Sequence, residues 1–194
     1  MVSDMLTGDL VLLSAVEPKE LAEAFARWNQ DSEYQRFGMI EPANQLSVKK
    51  MTEWTERDQE KERPDFYFFG IRTLEGNRLV GTCGLGGDLF PHGEGFVGIG
   101  IGERELWSHG YGTDAMNLIL RYAFLELNLR RVALSVSEFN PRAIQSYEKA
   151  GFIHEGRARG RIQRDGRHWD MIFMGILHEE WLDLSKHETK GDRD

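Results

Sequence analysis

Residues 98–115 read Gly-Ile-Gly-Ile-Gly-Glu-Arg-Glu-Leu-Trp-Ser-His-Gly-Tyr-Gly-Thr-Asp-Ala: a glycine-rich apolar run, a short loop, then a glycine turn. Met116, Ile119, Leu120, Ala123, Phe124 and Leu127 follow at three- and four-residue steps and make one apolar helical stripe. The first N–H groups of a helix have no acceptor within it, and the helix dipole adds about half a positive charge there. Gly110 and Gly112 lack side chains, so a phosphate or diphosphate can approach the main chain of His109, Gly110, Tyr111, Gly112 and Thr113. Taken alone, the two glycines would serve a tight turn and close helix packing equally well.

The same residues, Gly110 to Ala115, match the dinucleotide fingerprint G-x-G-x-x-A. In that fold the glycines follow their strand almost at once, and an acid binding the ribose comes about 20 residues later. Here Glu103 to His109 intervene and Glu138 comes too late. The spacing favours another anion, and an NAD- or FAD-binding oxidoreductase stays as the alternative.

A second constellation lies downstream. Residues 131–137 alternate as a strand, and Asn140-Pro141 starts a helix that Gly151-Phe152 stops. Ala143, Ile144, Tyr147 and Ala150 share its inner face, so Tyr147 points toward whatever the sheet and the first helix enclose. A lone tyrosine there is also accounted for as a core residue with a satisfied hydroxyl.

Trp107-Ser108-His109-Gly110-Tyr111-Gly112-Thr113 resembles the acyl-coenzyme A signature of the GNAT N-acetyltransferases, Q/R-x-x-G-x-G/A, with Trp in the first position. Residues 140–152 resemble that family's second motif, and the likeness extends over about residues 8–182, nearest to the ribosomal-protein alanine and spermidine acetyltransferase branch. It implies an α/β (α+β) fold: a mixed, mostly antiparallel sheet of six to seven strands, splayed at its central strand and flanked by about four helices. One acetyltransferase domain would occupy 1–182, and 183–194 would be a flexible tail.

The resemblance also implies a reaction. The acetyl group of acetyl-CoA, a cosubstrate, would pass to a primary amine by direct attack in a ternary complex, the amine being a protein N-terminus, a polyamine or another small amine. The N–H groups of His109 to Thr113 would bind the diphosphate, with Arg104 as charge partner. Gly100, Ile101 and Gly102 would pair with the pantetheine amides as an added strand, and Asn140 would touch that arm while capping its helix. A main-chain N–H on the central strand would polarise the thioester carbonyl, worth about 3 kcal/mol by analogy with measured oxyanion donors. Tyr147 would protonate the departing thiolate. Tyr34, Arg36, Phe37, Trp54 and Trp169 are the candidates for the acceptor pocket. A non-catalytic acyl-CoA sensor is a further alternative.

Direct attack needs no enzyme nucleophile, and the lone Cys83, inside a strand, reads as a small core residue. The amine is the difficulty: with a pKa of about 10.4, deprotonating it at pH 7 costs roughly 4 to 5 kcal/mol unless a base takes the proton. Glu94, at the entrance to the central strand, and Glu103, at its exit, are the nearest acids, and either reads equally as a solvated surface group.

The remaining pattern fits one compact domain. A first strand is expected at 10–16, helices at 18–29 and 48–60, strands at 66–73 and 79–85 around a Glu75-Gly76-Asn77 turn, and a last hairpin near 155–163 and 168–177 around Asp165-Gly166. A net charge of −8 argues against a nucleic-acid binder, which would need a basic face, and suits a cationic amine. Locally, Arg157, Arg159 and Arg161 alternate onto one strand face, near Arg164 and Arg167. They would hold an acidic acceptor or a partner, or simply face solvent. Apolar runs are too short for a membrane span and no signal-peptide pattern opens the chain, so a cytoplasmic, reducing setting is expected, with a homodimer left open. The histidines lack metal-ligand spacing, so no metal is expected.

Overall fold

The computed structural model describes residues 4–59, 65–87 and 90–191. Three antiparallel strands, β1 (Val11–Ser14), β2 (Phe66–Thr73) and β3 (Leu79–Gly86), lead to β4 (Glu94–Ile101). With β5 (Arg131–Ser137), β6 (Ile153–Arg164) and β7 (Arg167–Leu177) they make one seven-stranded sheet in the order β1-β2-β3-β4-β5-β7-β6. The β6–β7 hairpin turns through Asp165-Gly166, both with positive φ, as the two-residue turns that match strand twist require, and the longer β2–β3 connection also carries positive φ, at Gly76 and Asn77.

Six helices pack on this sheet within the described residues. α1 (Pro18–Trp28), α2 (Ser32–Gly38) and α3 (Val48–Gln59) lie between β1 and β2; α4 (Tyr111–Arg121) links β4 to β5 and runs into one π turn over Tyr122–Glu126. α5 (Pro141–Lys149) joins β5 to β6, and α6 (His178–Gly191) follows β7. The stripe on α4 is the centre of the core: Met116, Ile119, Leu120 and Phe124 are fully buried against Ile71, Val80, Leu85 and Val132 of the sheet. Each such side chain contributes about 1.5–3 kcal/mol over its exposed state.

Two expectations change. About four helices become six, because α2 is a seven-residue helix whose apolar pattern is too short to see. Its start is set by Asp31, which accepts from the N–H groups of Glu33 (2.9 Å) and Tyr34 (3.4 Å). α6 is anchored at its start, where Glu180 accepts the Leu177 N–H at 2.8 Å and Trp181 packs on Phe124 with ring centres 5.4 Å apart. On β6 the register shifts between Ala158 and Ile162, so the three arginines do not form one regular face. Arg157 pairs instead with Asp170 at 3.0 Å.

The feature that positions the site is a fork. β4 and β5 run parallel but pair only from Glu94–Phe96 to Arg131–Ala133. Beyond that, β4 stays with β3 as far as Ile101, and β5 stays with β7 as far as Ser137, so the two central strands part.

Candidate active site

A cleft of about 480 Å³ occupies the fork, walled by β4, β5, the first turn of α4 and the inner face of α5. A second cleft, of about 760 Å³, lies on the other side of β4 beneath α1 and α2. Tyr34, Phe96, Gly98, Ile99 and Gly100 line both, so the two meet at the central strand.

At the head of the first cleft, Gly110 is the N-cap of α4 with φ 90°, a conformation that suits glycine, and no side chain caps the helix start. Gly112 and Thr113 border the cleft. A Cβ at Gly112 would sit 3.7 Å from Ile101 and 3.9 Å from Ser146, so glycine leaves just the room of a side chain there. His109 and Tyr111 fall outside the cleft lining: the His109 ring contacts the Trp107 carbonyl at 2.8 Å, and Tyr111 packs on the core.

The strand contribution differs by one step from the expectation of Gly100, Ile101 and Gly102. The Gly102 N–H donates to Val80 on β3 at 2.8 Å, and a Cβ on Gly102 would meet Trp28 at 2.0 Å, so this residue is packed away from the cleft. Antiparallel alternation then directs the main chain of Ile101, Ile99 and Val97 toward the fork. The Ile101 carbonyl is already taken by the Trp107 indole N–H at 2.8 Å. That leaves Ile99, the first fork-facing residue well clear of the β4–β5 ladder, with its N–H aimed into the gap. Gly100 borders both clefts.

Arg104, expected as a charge partner for diphosphate, turns the other way: its Nε donates to Asp31 at 2.6 Å, and it pairs with Glu33, holding the start of α2. Arg142, which the sequence reading passed over, takes the place beside the cleft. Its guanidinium lies 3.7 Å from the Trp107 ring centre and 5.3 Å from that of Phe37. Burial pushes its pKa down, with Glu33 acting against that shift, so the charge is poorly hydrated and suited to an anion. Its position two residues after Asn140 on a helix start was the available signal.

Asn140 accepts the Ala143 N–H at 3.2 Å and also borders the cleft. Tyr147 lines the same cleft, half-buried, with its ring 6.1 Å from Phe152. Burial of its hydroxyl raises the pKa to about 12, so it keeps its proton at neutral pH.

The two acids separate. Glu94 lines the second cleft and meets Arg131 Nε at 3.2 Å. Glu103 lines neither cleft; it accepts from the Trp28 indole at 3.0 Å and from Arg27 at 2.8 Å, and meets Arg78 at 3.0 Å. Burial alone would push its pKa up, but these hydrogen bonds and the charges of Arg27 and Arg78 prevail and hold it down, which makes it a poor base.

The acceptor-pocket candidates also divide. Tyr34 stands beside Gly100, on whose Cβ position its hydroxyl lies 3.7 Å away, and burial raises its pKa. Phe37 borders the first cleft, stacked on Phe139 at 6.2 Å. Arg36 is drawn into an ion pair with Asp165 in the β6–β7 turn. Trp54 is 47% exposed, packs edge-on to Phe25, and lines neither cleft. Trp169 packs on Phe139 at 5.7 Å and likewise lines neither. Sequence reasoning missed Met39, Phe66, Phe68 and Phe96, which border the second cleft and carry no spacing signal of their own.

A dinucleotide fold would need a doubly wound parallel sheet, whereas among the described strands only β4 and β5 run parallel. Among the described residues no group of His, Cys, Asp or Glu could hold a metal ion, and no helix is long and apolar enough to cross a membrane. Cys83 is buried, as its strand position suggested.

The chain matches the family model of the acetyltransferase (GNAT) domain over residues 11–153. It is 30% identical over 186 residues to Probable N-acetyltransferase YjcK of Bacillus subtilis, covering 91% of this chain and 98% of that protein. It is 35% identical over 77 residues to the spermidine N(1)-acetyltransferase of Vibrio cholerae, 40% of this chain and 44% of that one. The crystal structure of the Vibrio cholerae spermidine N-acetyltransferase in complex with CoA and spermine shares the fold, with a TM-score of 0.76 at 24% identity over 89% of this chain and 98% of that one. Fold and relatives together define an acyltransferase. The chain belongs to the GNAT family of N-acetyltransferases.

Proposed function

We propose that this acetyltransferase moves the acetyl group of acetyl-CoA to a primary amine, the two substrates meeting at β4 from opposite sides. The observation that carries this reading is the meeting of two clefts at Gly98, Ile99 and Gly100, one of them ending at an uncapped helix start. The diphosphate would bind the N–H groups from Gly110 to Thr113 with Arg142 alongside, His109 and Tyr111 contributing main chain only. The pantetheine would follow the fork past Asn140, and the Ile99 N–H would polarise the thioester carbonyl.

Amine attack forms the C–N bond and expels the thiolate, which takes the proton of Tyr147; the hydroxyl regains a proton from the attacked nitrogen through water. Glu94 lies five residues before Ile99, about 16 Å along an extended strand, so it attracts the ammonium, and the amine proton leaves through water. Glu103 acts in neither step. Tyr34 would border the amine at Gly100, while Arg36, Phe37, Trp54 and Trp169 support the surrounding segments. Polyamines, of which spermidine is named for one relative, and protein N-termini both fall within this reaction.

The test is a melting measurement with acetyl-CoA and NAD, followed by thiol release across an amine library. A rise with acetyl-CoA alone, then turnover, is expected. Binding without thiol release from any amine would leave a sensor in place of an enzyme.

A further inference from the structure

The acetyl-transfer reading leaves the acceptor broad, and the second cleft narrows it. Its wall is aromatic: Phe25, Tyr34, Phe66, Phe68 and Phe96 border it together with Met39. Phe68 and Phe96 keep 38% and 47% of their surface in solvent. On its floor, a Cβ at Gly98 would meet nothing within 4 Å, so open space lies directly over the strand at the point where the clefts join. Phe96 and Gly100, next on the same strand face, flank that space, with Tyr34 over Gly100.

Charge is scarce among its described lining residues. Among the described residues lining this cleft, Glu94 is the one carboxylate, and none is Lys or Arg. Glu94 is moreover shared with Arg131, whose other nitrogens hold Glu155 at 2.6 and 2.7 Å. An acceptor with several ammonium groups would leave all but one without an anion in an apolar setting, which disfavours it. One ammonium is provided for, by Glu94 and by the faces of the rings. An apolar body gains from burial against five aromatic side chains.

We propose that the acceptor is a primary amine with a single positive charge on an apolar, ring-sized body that lies over Gly98. Spermidine is then a poor substrate. The proposal rests on the acetyl-transfer reading and restricts it.

Thiol release from acetyl-CoA is measured with 2-phenylethylamine, with a short peptide beginning in Phe, and with spermidine. One of the first two should exceed spermidine in kcat/KM by about tenfold or more. Preference for the free amine or for the peptide assigns the source, and either supports the proposal. Gly98→Leu fills the open space, and Phe96→Ala removes a wall without filling it. Each should lower kcat/KM for the preferred amine by about tenfold and that for spermidine by much less, since spermidine places no ring-sized body over Gly98. Spermidine turned over equally well or faster, or both variants unchanged, overturns the proposal alone. Loss of the acetyl-CoA shift in the unmodified protein would overturn the donor reading beneath it.

Discussion

The hydroxyls of Thr113 and Ser146 meet at 2.8 Å and join the first turn of α4 to α5 across the head of the forked cleft. One helix brings the uncapped N–H groups, the other brings Asn140, Arg142 and Tyr147. Their separation therefore sets the width of the site. Thr113→Ala should cost about 1 kcal/mol of stability and weaken acetyl-CoA binding more than it lowers kcat, measured by denaturant unfolding and by titration.

Gly112→Trp fills the head of the cleft with a side chain far larger than the Cβ the neighbours leave room for, on helical backbone that tolerates it. The fold should persist. The stabilisation that acetyl-CoA gives at about 100 times its Kd, about 2.7 kcal/mol, should vanish, as a melting curve with and without ligand would reveal.

Arg142→Ala should weaken acetyl-CoA about tenfold and flatten the salt dependence of binding, since it removes a poorly hydrated cation. Arg142→Lys should recover little, because the stacking on Trp107 needs a planar group. Full recovery by lysine would refute that account.

Tyr147→Phe should lower kcat by about 100-fold and leave KM for acetyl-CoA nearly unchanged. The pKa of Tyr147, raised by burial to about 12, gives a second readout. The folded state holds this proton more tightly than the unfolded state does. Its contribution to stability is complete below about pH 10 and lost as pH rises from there toward 12. The Phe variant should lack this alkaline loss, as melting temperatures from pH 9 to 12 would establish.

Glu103→Gln should leave the pH–rate profile in place, because this acid lines neither cleft, and should cost about 1–3 kcal/mol through the contacts to Arg27, Trp28 and Arg78. Its pKa is held below the ordinary value despite burial, so its contribution is present above about pH 4.5 and lost as pH falls through the folded-state value. Acid unfolding of the variant should accordingly be less steep.

Much was visible in the chain alone. The α4 stripe, the Asn140-Pro141 helix start and both hairpin turns follow from local rules: a 3.6-residue period, capping chemistry and positive φ at turn residues. The glycine bend at 110–112 was legible for the same reason, since the conformation that needs Gly110 is set within a few residues. α2 escaped notice because about two turns carry too little period, although Asp31 capped it in plain view.

Partnerships across distance were decided only in the folded molecule. Arg104 and Arg142 are both cations near the bend, and sequence gives no ground for sending one to Asp31 and the other over Trp107. Glu94 and Glu103 flank the same strand, yet α1 and the turn before β3 deliver Trp28, Arg27 and Arg78 to one of them, while β5 delivers Arg131 to the other. The amino-acid order determined which segments would be helix, strand and anion-ready turn, because those preferences are local. Which groups face the fork and which are consumed by neighbours was settled by tertiary packing, because burial and pairing depend on residues tens of positions away.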